Sequence, residues 1–274
     1  MTNLQTARCG LSAASWRIAT NDGLYGKGLV TDSGKEKELL LIGTVHRDPD
    51  GAVKLRRLLA RERPAAVAVE VSTYGLFYRQ KNGRRLRRSL KRNLNRVAKT
   101  LQVSWRRWGQ IHAIEAQFLM PFEYRVALKY CRDSTATLSC LDSSHWSRSL
   151  IQAEWQQLLS RDNLAALLQQ FPENLRKEVR KGYQLAAYLL SDRGKSLASA
   201  FAVGWSADAN WQQREAELAR GLRTVYGRLR NGRLAYIGGW QHLLGLRTGS
   251  TLYERLEHLQ PRRVLLNEGA GAEL

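Results

Sequence analysis

The chain has 274 residues and carries 44 Lys and Arg against 24 Asp and Glu, a formal charge of +20. That length can bury a large core as one domain, residues 1–274, without disulfides. Its three cysteines, Cys9, Cys131 and Cys140, form no CxxC pair; this speaks against a cysteine-type zinc site and fits a reducing, cytoplasmic setting.

In chain order, the N-terminal segment has no basic start followed by an apolar stretch, and no run approaches the ~20 residues needed to span a bilayer. Residues 15–37, with Asn21-Asp22-Gly23 as a turn, predict a hairpin. Five short apolar runs predict strands over residues 38–43, 65–70, 136–141, 234–238 and 263–267; they do not alternate, so both faces should be covered. Residues 49–63 carry Val53, Leu55, Leu58 and Leu59 at helical spacing before Pro64, which makes a βαβ unit and a parallel strand pair. Residues 122–130 form a further amphipathic segment, and residues 147–230 are helix-rich. The expected architecture is α/β: a mostly parallel central sheet with helices on both faces, an N-terminal hairpin and a helical insertion.

Ligands in an open parallel sheet bind beyond the carboxyl ends of the strands. There the sequence places His46, Glu70, Asp142 and His242, and both histidines follow a strand within a Gly-x-x-His pattern, Gly43 to His46 and Gly239 to His242. Two imidazoles and a carboxylate are a common donor set for a catalytic divalent metal, whose bound water ionises near neutral pH. A lone histidine after a strand is ordinarily a hydrogen-bonded structural residue, and Glu70 alone could simply pair with an arginine. The same short pattern twice, on strands that only the fold can bring together, favours a shared site.

These residues resemble the TraB/PrgY family, grouped with Tiki proteases and ChaN- and EreA-like proteins. The resemblance runs through Leu40-Leu-Ile-Gly-Thr-Val-His46, Val67-Ala-Val-Glu70, Phe122-Glu-Tyr-Arg125, Leu141-Asp142, Arg214-Glu-Ala-Glu-Leu-Ala219 and Tyr236-Ile-Gly-Gly-Trp-Gln-His242. It implies a cleft holding His46, Glu70, Glu123 and His242, with Arg125, Asp142 and Arg214 in support. It also implies one of three activities: metal-dependent peptidase, metal-free lactone hydrolase, or blockade of a peptide pheromone. The chain departs from the family at Gly75, where an arginine is expected and Arg79 is the nearest substitute, at Gln241 and at Ser143. From the residues alone, Glu123 and Arg125 could equally form an ordinary helix-surface ion pair.

Between Arg79 and Gln110 there is no Asp or Glu, while Arg84, Arg85, Arg88, Lys91, Arg92, Arg96 and Arg107 accumulate around Leu86, Leu90, Leu94, Val97, Trp105 and Trp108. This spacing predicts one amphipathic helix with a cationic face. Such a face admits a solvated surface closing over the cleft, steering of an anionic substrate, nucleic-acid phosphates or an anionic membrane.

The leading expectation is a metal-dependent hydrolase of a peptide or related acyl bond. In it His46 and His242 bind Mn, Co or Zn, Glu70 serves as ligand or base, and Glu123 is an alternative base with Arg125 beside it. The alternative is a non-catalytic module that captures a peptide or small-molecule ligand in the same cleft and regulates signalling. A third is a nucleic-acid-binding protein.

Overall fold

The computed structural model describes residues 37–267. Five strands form one sheet in the order β3-β2-β4-β1-β5, and every pairing is parallel. The strands are β1 Glu38–Thr44, β2 Ala66–Val69, β3 Thr137–Cys140, β4 Arg233–Gly239 and β5 Arg262–Leu265, each within two residues of the expected run. β2 is buried throughout, and β1 and β4 are buried beyond their first residue; strands covered on both faces read as continuous apolar runs. The expected hairpin over residues 15–37 lies, apart from Lys37, outside the described residues.

Between β1 and β2 runs α1, Gly51–Glu62, which buries Leu55, Leu58 and Leu59 while Val53 stays exposed. It ends where Arg63 turns left-handed and returns its N–H to the Leu59 carbonyl, directly before Pro64. Because β4 lies between β1 and β2, this crossover passes over one strand position. That position is filled only by residues near the end of the chain.

The cationic stretch is not the single helix its periodicity predicts. α2, Thr73–Leu101, begins earlier, where Ser72 accepts the Gly75 N–H, and ends at Gln102, which is left-handed with φ of 54°. Trp105–Arg107 then forms a 3-10 turn, and α3 spans Gly109–Gln117. No proline or glycine marks the break at residue 102, so the apolar spacing runs through it unaltered.

The remaining helices are α4 Phe122–Asp133, α5 Ser144–Leu158, α6 Arg161–Leu168, α7 Leu175–Leu190, α8 Lys195–Ser206, α9 Ala209–Arg228 and α10 Leu252–Arg255. They divide between two cores. α1, α4, α7, α8 and α9 pack with the sheet. Leu86, Leu90, Leu94 and Val97 of α2 instead join Ile111, Trp155, Leu164 and Leu168 from α3, α5 and α6 in a second cluster. The helix-rich segment is therefore not one insertion: its first two helices serve α2 and its last three serve the sheet. No helix among the described residues is long and apolar enough to cross a membrane.

Candidate active site

The sheet order brings the three expected residues together. β1 and β2 flank β4, so His46, two residues beyond β1, and Glu70, directly after β2, meet over the end of β4. His242 follows on the short 3-10 turn Trp240–Leu243. The end of β4 has to be small. A Cβ on Gly238 would lie 2.5 Å from Glu70 Oε2 and 2.3 Å from the Tyr236 hydroxyl, and one on Gly239 would lie 3.1 Å from His46 Nε2. The two glycines thus form a floor on which a carboxylate and an imidazole rest.

Glu70 is the hub. Its Oε1 accepts from Arg214 at 2.6 Å and lies 3.0 Å from His242 Nε2; its Oε2 accepts from the Gly239 N–H at 2.6 Å and from the Tyr236 hydroxyl at 3.4 Å. Burial alone would raise the Glu70 carboxyl, but the charges of His242 and Arg214 outweigh it and hold the group well below the usual carboxylate range. Arg214 also forks onto Asp142, donating Nε at 2.9 Å and Nη2 at 3.1 Å. Asp142 and Arg214 therefore act together, fixing Glu70 from behind.

The two imidazoles have different surroundings. His242 is buried, donates Nδ1–H to Glu215, faces Glu70 with Nε2, and lies flat on Trp211 with ring centroids 5.1 Å apart. Burial opposes its protonation, yet Glu215 and Glu70 prevail and push its pKa up to about 10. The two carboxylates thus favour its imidazolium form. His46 instead exposes 47% of its side chain, while its Nδ1–H is tied to Glu123 at 2.9 Å and its Nε2 stands 3.8 Å from Glu70 Oε2. Burial works against its charge, but the hydrogen bond to Glu123 and the two nearby carboxylates raise its pKa above the ordinary 6.5. With almost half of the ring open to solvent, that opposing burial is weaker than at His242. Glu123 is itself buried and also accepts from Thr44 at 3.2 Å. The expected alternative of a Glu123 to Arg125 ion pair is not what forms.

Beyond His46 the chain turns through Arg47, whose φ of 67° is disfavoured for a residue with a Cβ. A cleft of about 520 Å³ opens there, lined by His46, Glu70, Glu123, Asp142 and Arg214 together with Arg47, Arg79 and Arg125. A smaller hollow of about 300 Å³ beside Asp48, Lys54 and Arg176 contains neither imidazole. The cleft carboxylates are committed: Asp48 to Lys54, Glu123 to His46, Glu70 and Asp142 to Arg214. Arg47, Arg79 and Arg125 have no carboxylate partner among the described residues. Arg79 is nevertheless fixed, donating to the Gln117 and Gly75 carbonyls and resting 5.1 Å from the centre of the Trp155 ring. Its guanidinium fills the space above Gly75, where a Cβ would come within 2.9 Å of Nη1. One helical turn beyond Gly75, this side chain reaches back over it.

Sequence reasoning overlooked Glu215, Thr44, Tyr236 and Trp211. Glu215 had a readable signal: on α9 the buried positions are Glu215, Leu218, Ala219 and Leu222, so a carboxylate stands on an apolar stripe, where an unpaired charge is too costly to persist. Glu123 shows the same signal beside Phe122, Val126 and Ala127 on α4.

No protein-family profile, curated protein or solved structure matches the chain. The fit of a divalent metal is therefore judged on the side chains. Each imidazole has Nδ1 held by a carboxylate, the orientation that presents Nε2 to an ion. The third donor, Glu70, already accepts from a guanidinium, a backbone N–H and an imidazole, so an ion bound there would displace one of these.

Proposed function

We propose that the protein hydrolyses a peptide or related acyl bond, with His46 as general base and Glu123 as the group that orients it. The observation that carries this reading is the cleft-facing imidazole whose Nδ1–H is fixed by a buried carboxylate, leaving Nε2 as its one remaining basic atom. A carboxylate in that position sets the tautomer and stabilises the imidazolium that forms. The nearby carboxylates outweigh burial and raise its pKa above the ordinary 6.5, which strengthens the neutral imidazole as a base.

In this mechanism Nε2 takes a proton from a water in the cleft as the water oxygen attacks the acyl carbon. The same proton is then returned to the leaving group. Arg79, held by two main-chain carbonyls and Trp155, offers a guanidinium that does not have to reorganise as negative charge develops on the acyl oxygen. Glu70, Arg214 and Asp142 keep the floor of the cleft rigid, and His242 bridges Glu70 to Glu215. Three cleft arginines without carboxylate partners favour a substrate bearing an anionic group. The resemblance to the TraB/PrgY family, whose wider group includes hydrolases, supports the same reaction class.

The test is a panel of acidic and neutral peptides and lactones incubated with wild type and His46→Ala, in chelator and with added Mn, Co or Zn. Turnover that persists in chelator and is lost in His46→Ala is expected. Turnover that requires an ion would restore the metal-dependent reading. Binding without turnover by the folded protein would make the cleft a ligand-capture site and overturn the hydrolase.

A further inference from the structure

We propose that the cationic face of α2 docks the phosphate backbone of a nucleic-acid duplex. On a helix advancing 100° per residue, Lys81, Arg84, Arg85, Arg88, Arg92 and Arg96 fall within an arc of about 120°. All six are exposed. The helix spans 29 residues, or about 43 Å at 1.5 Å per residue. Among the described residues, Glu115 lies beside this stripe, bonding Arg87 at 2.8 Å and lying 3.9 Å from Lys91 on its flank. The six named cations have no carboxylate partner among the described residues. An ordinary solvated helix face interleaves both signs; this one pays the self-repulsion of a long row of like charge, which a polyanion would relieve.

Two features choose the occupant. A helix lying on a membrane buries its own apolar face in the lipid. Here Leu86, Leu90, Leu94 and Val97 are already buried against α3, α5 and α6, so insertion would require unpacking the second core. Single-stranded nucleic acid is gripped by bases stacking on exposed aromatic rings. Over residues 84–99 the helix has none, and Phe77, near its start, is the exposed aromatic of α2. What remains is recognition of phosphate charge, independent of sequence and satisfied by a duplex whose bases are turned inward.

The experiment measures binding of a labelled 20-base-pair mixed-sequence DNA duplex to the full chain between 20 and 200 mM salt. It compares wild type with a combined variant, Arg84→Gln, Arg88→Gln, Arg92→Gln and Arg96→Gln, and with the same four positions changed to Lys. These side chains are exposed, so circular dichroism of both variants should match wild type. Each neutralised phosphate contributes about −0.9 to the slope of log affinity against log salt. The Gln variant should therefore be shallower by about 3 to 4, while the Lys variant keeps the wild-type slope and a scrambled duplex binds equally well. The proposal is overturned by no binding at 20 mM salt or by a slope indifferent to the Gln changes. It is equally overturned by tighter binding to phosphatidylserine vesicles or to single strands than to the duplex. None of these outcomes depends on whether the cleft turns over a substrate.

Discussion

The two ends of the sheet each carry a cluster of buried or half-buried charge, and they are built differently. At the amino ends of the strands, Glu38 and Glu62 meet Arg233 and Arg262 in a closed ring of ion pairs. Two carboxylates face the two guanidiniums of that ring, with Arg61 a third on Glu62, and these arginines outweigh burial and lower both carboxyls from their ordinary value. At the carboxyl ends, Glu70, Glu123, Asp142 and Glu215 form ion pairs with one guanidinium, Arg214, and two imidazoles, while Arg47, Arg79 and Arg125 stand in the same cleft without an ion pair among the described residues. Ion pairing at that end runs partly through imidazoles, and one of the two is open to a cleft. Carboxylates paired with arginine brace a fold across the neutral range, whereas pairing through histidine makes the same density of carboxylates responsive to pH.

The sharpest way to break this contrast is His46→Ala. It should lower kcat/KM by about 10³-fold, within the range for loss of a general base, with little change in the denaturation midpoint because the ring is half exposed. Arg262→Ala at the other end should do the reverse; a loss of turnover there would mean the two ends are not separate in function. Next in size is Glu215→Leu, which leaves the His242 imidazolium facing Glu70 alone. Breaking a buried pair by removing one partner costs about 3–5 kcal/mol, read as a lowered urea midpoint. An unchanged midpoint would mean that His242 is neutral.

Two pH experiments refine the comparison. Because Glu123 raises the His46 pKa, Glu123→Gln should move the acidic limb of the kcat/KM profile to lower pH. An unmoved limb would assign that titration to another group. For stability, His242 has a folded pKa raised from 6.5 to about 10. Its contribution is complete below about 6.5 and is lost as pH climbs toward 10. Glu38 and Glu62, lowered from 4.5 because their arginine partners outweigh burial, contribute above 4.5 and lose that contribution as pH falls below it. Melting curves should show alkaline loss abolished in His242→Gln and acid loss reduced in Glu62→Gln. The smallest effect expected is the latter variant's stability change at neutral pH, about 1 kcal/mol for a partly exposed network.

The strands and the gathering of His46, Glu70 and His242 were legible because buried parallel strands leave unbroken apolar runs, and polar residues at their ends stand out against them. Strand order was not legible. Nothing local in residues 233–239 says that this strand lies between the first two, yet that placement makes the site. The break of the cationic helix at Gln102 was hidden because a left-handed turn needs no glycine when the helix end is capped by its own backbone. Glu215 was legible only through burial, as a carboxylate on the apolar stripe of α9.

The central position of β4 also bears on how the chain is made. β1 and β2 leave the ribosome early but are not neighbours; the strand that joins them lies more than 160 residues further on. Until it arrives, two hydrophobic strands have unsatisfied edges, a state prone to misassociation. Neither the glycine floor nor the second imidazole exists until residues 238–242 have been added. The pocket beyond the strand ends thus takes shape only after β4 and the turn that follows it have been made.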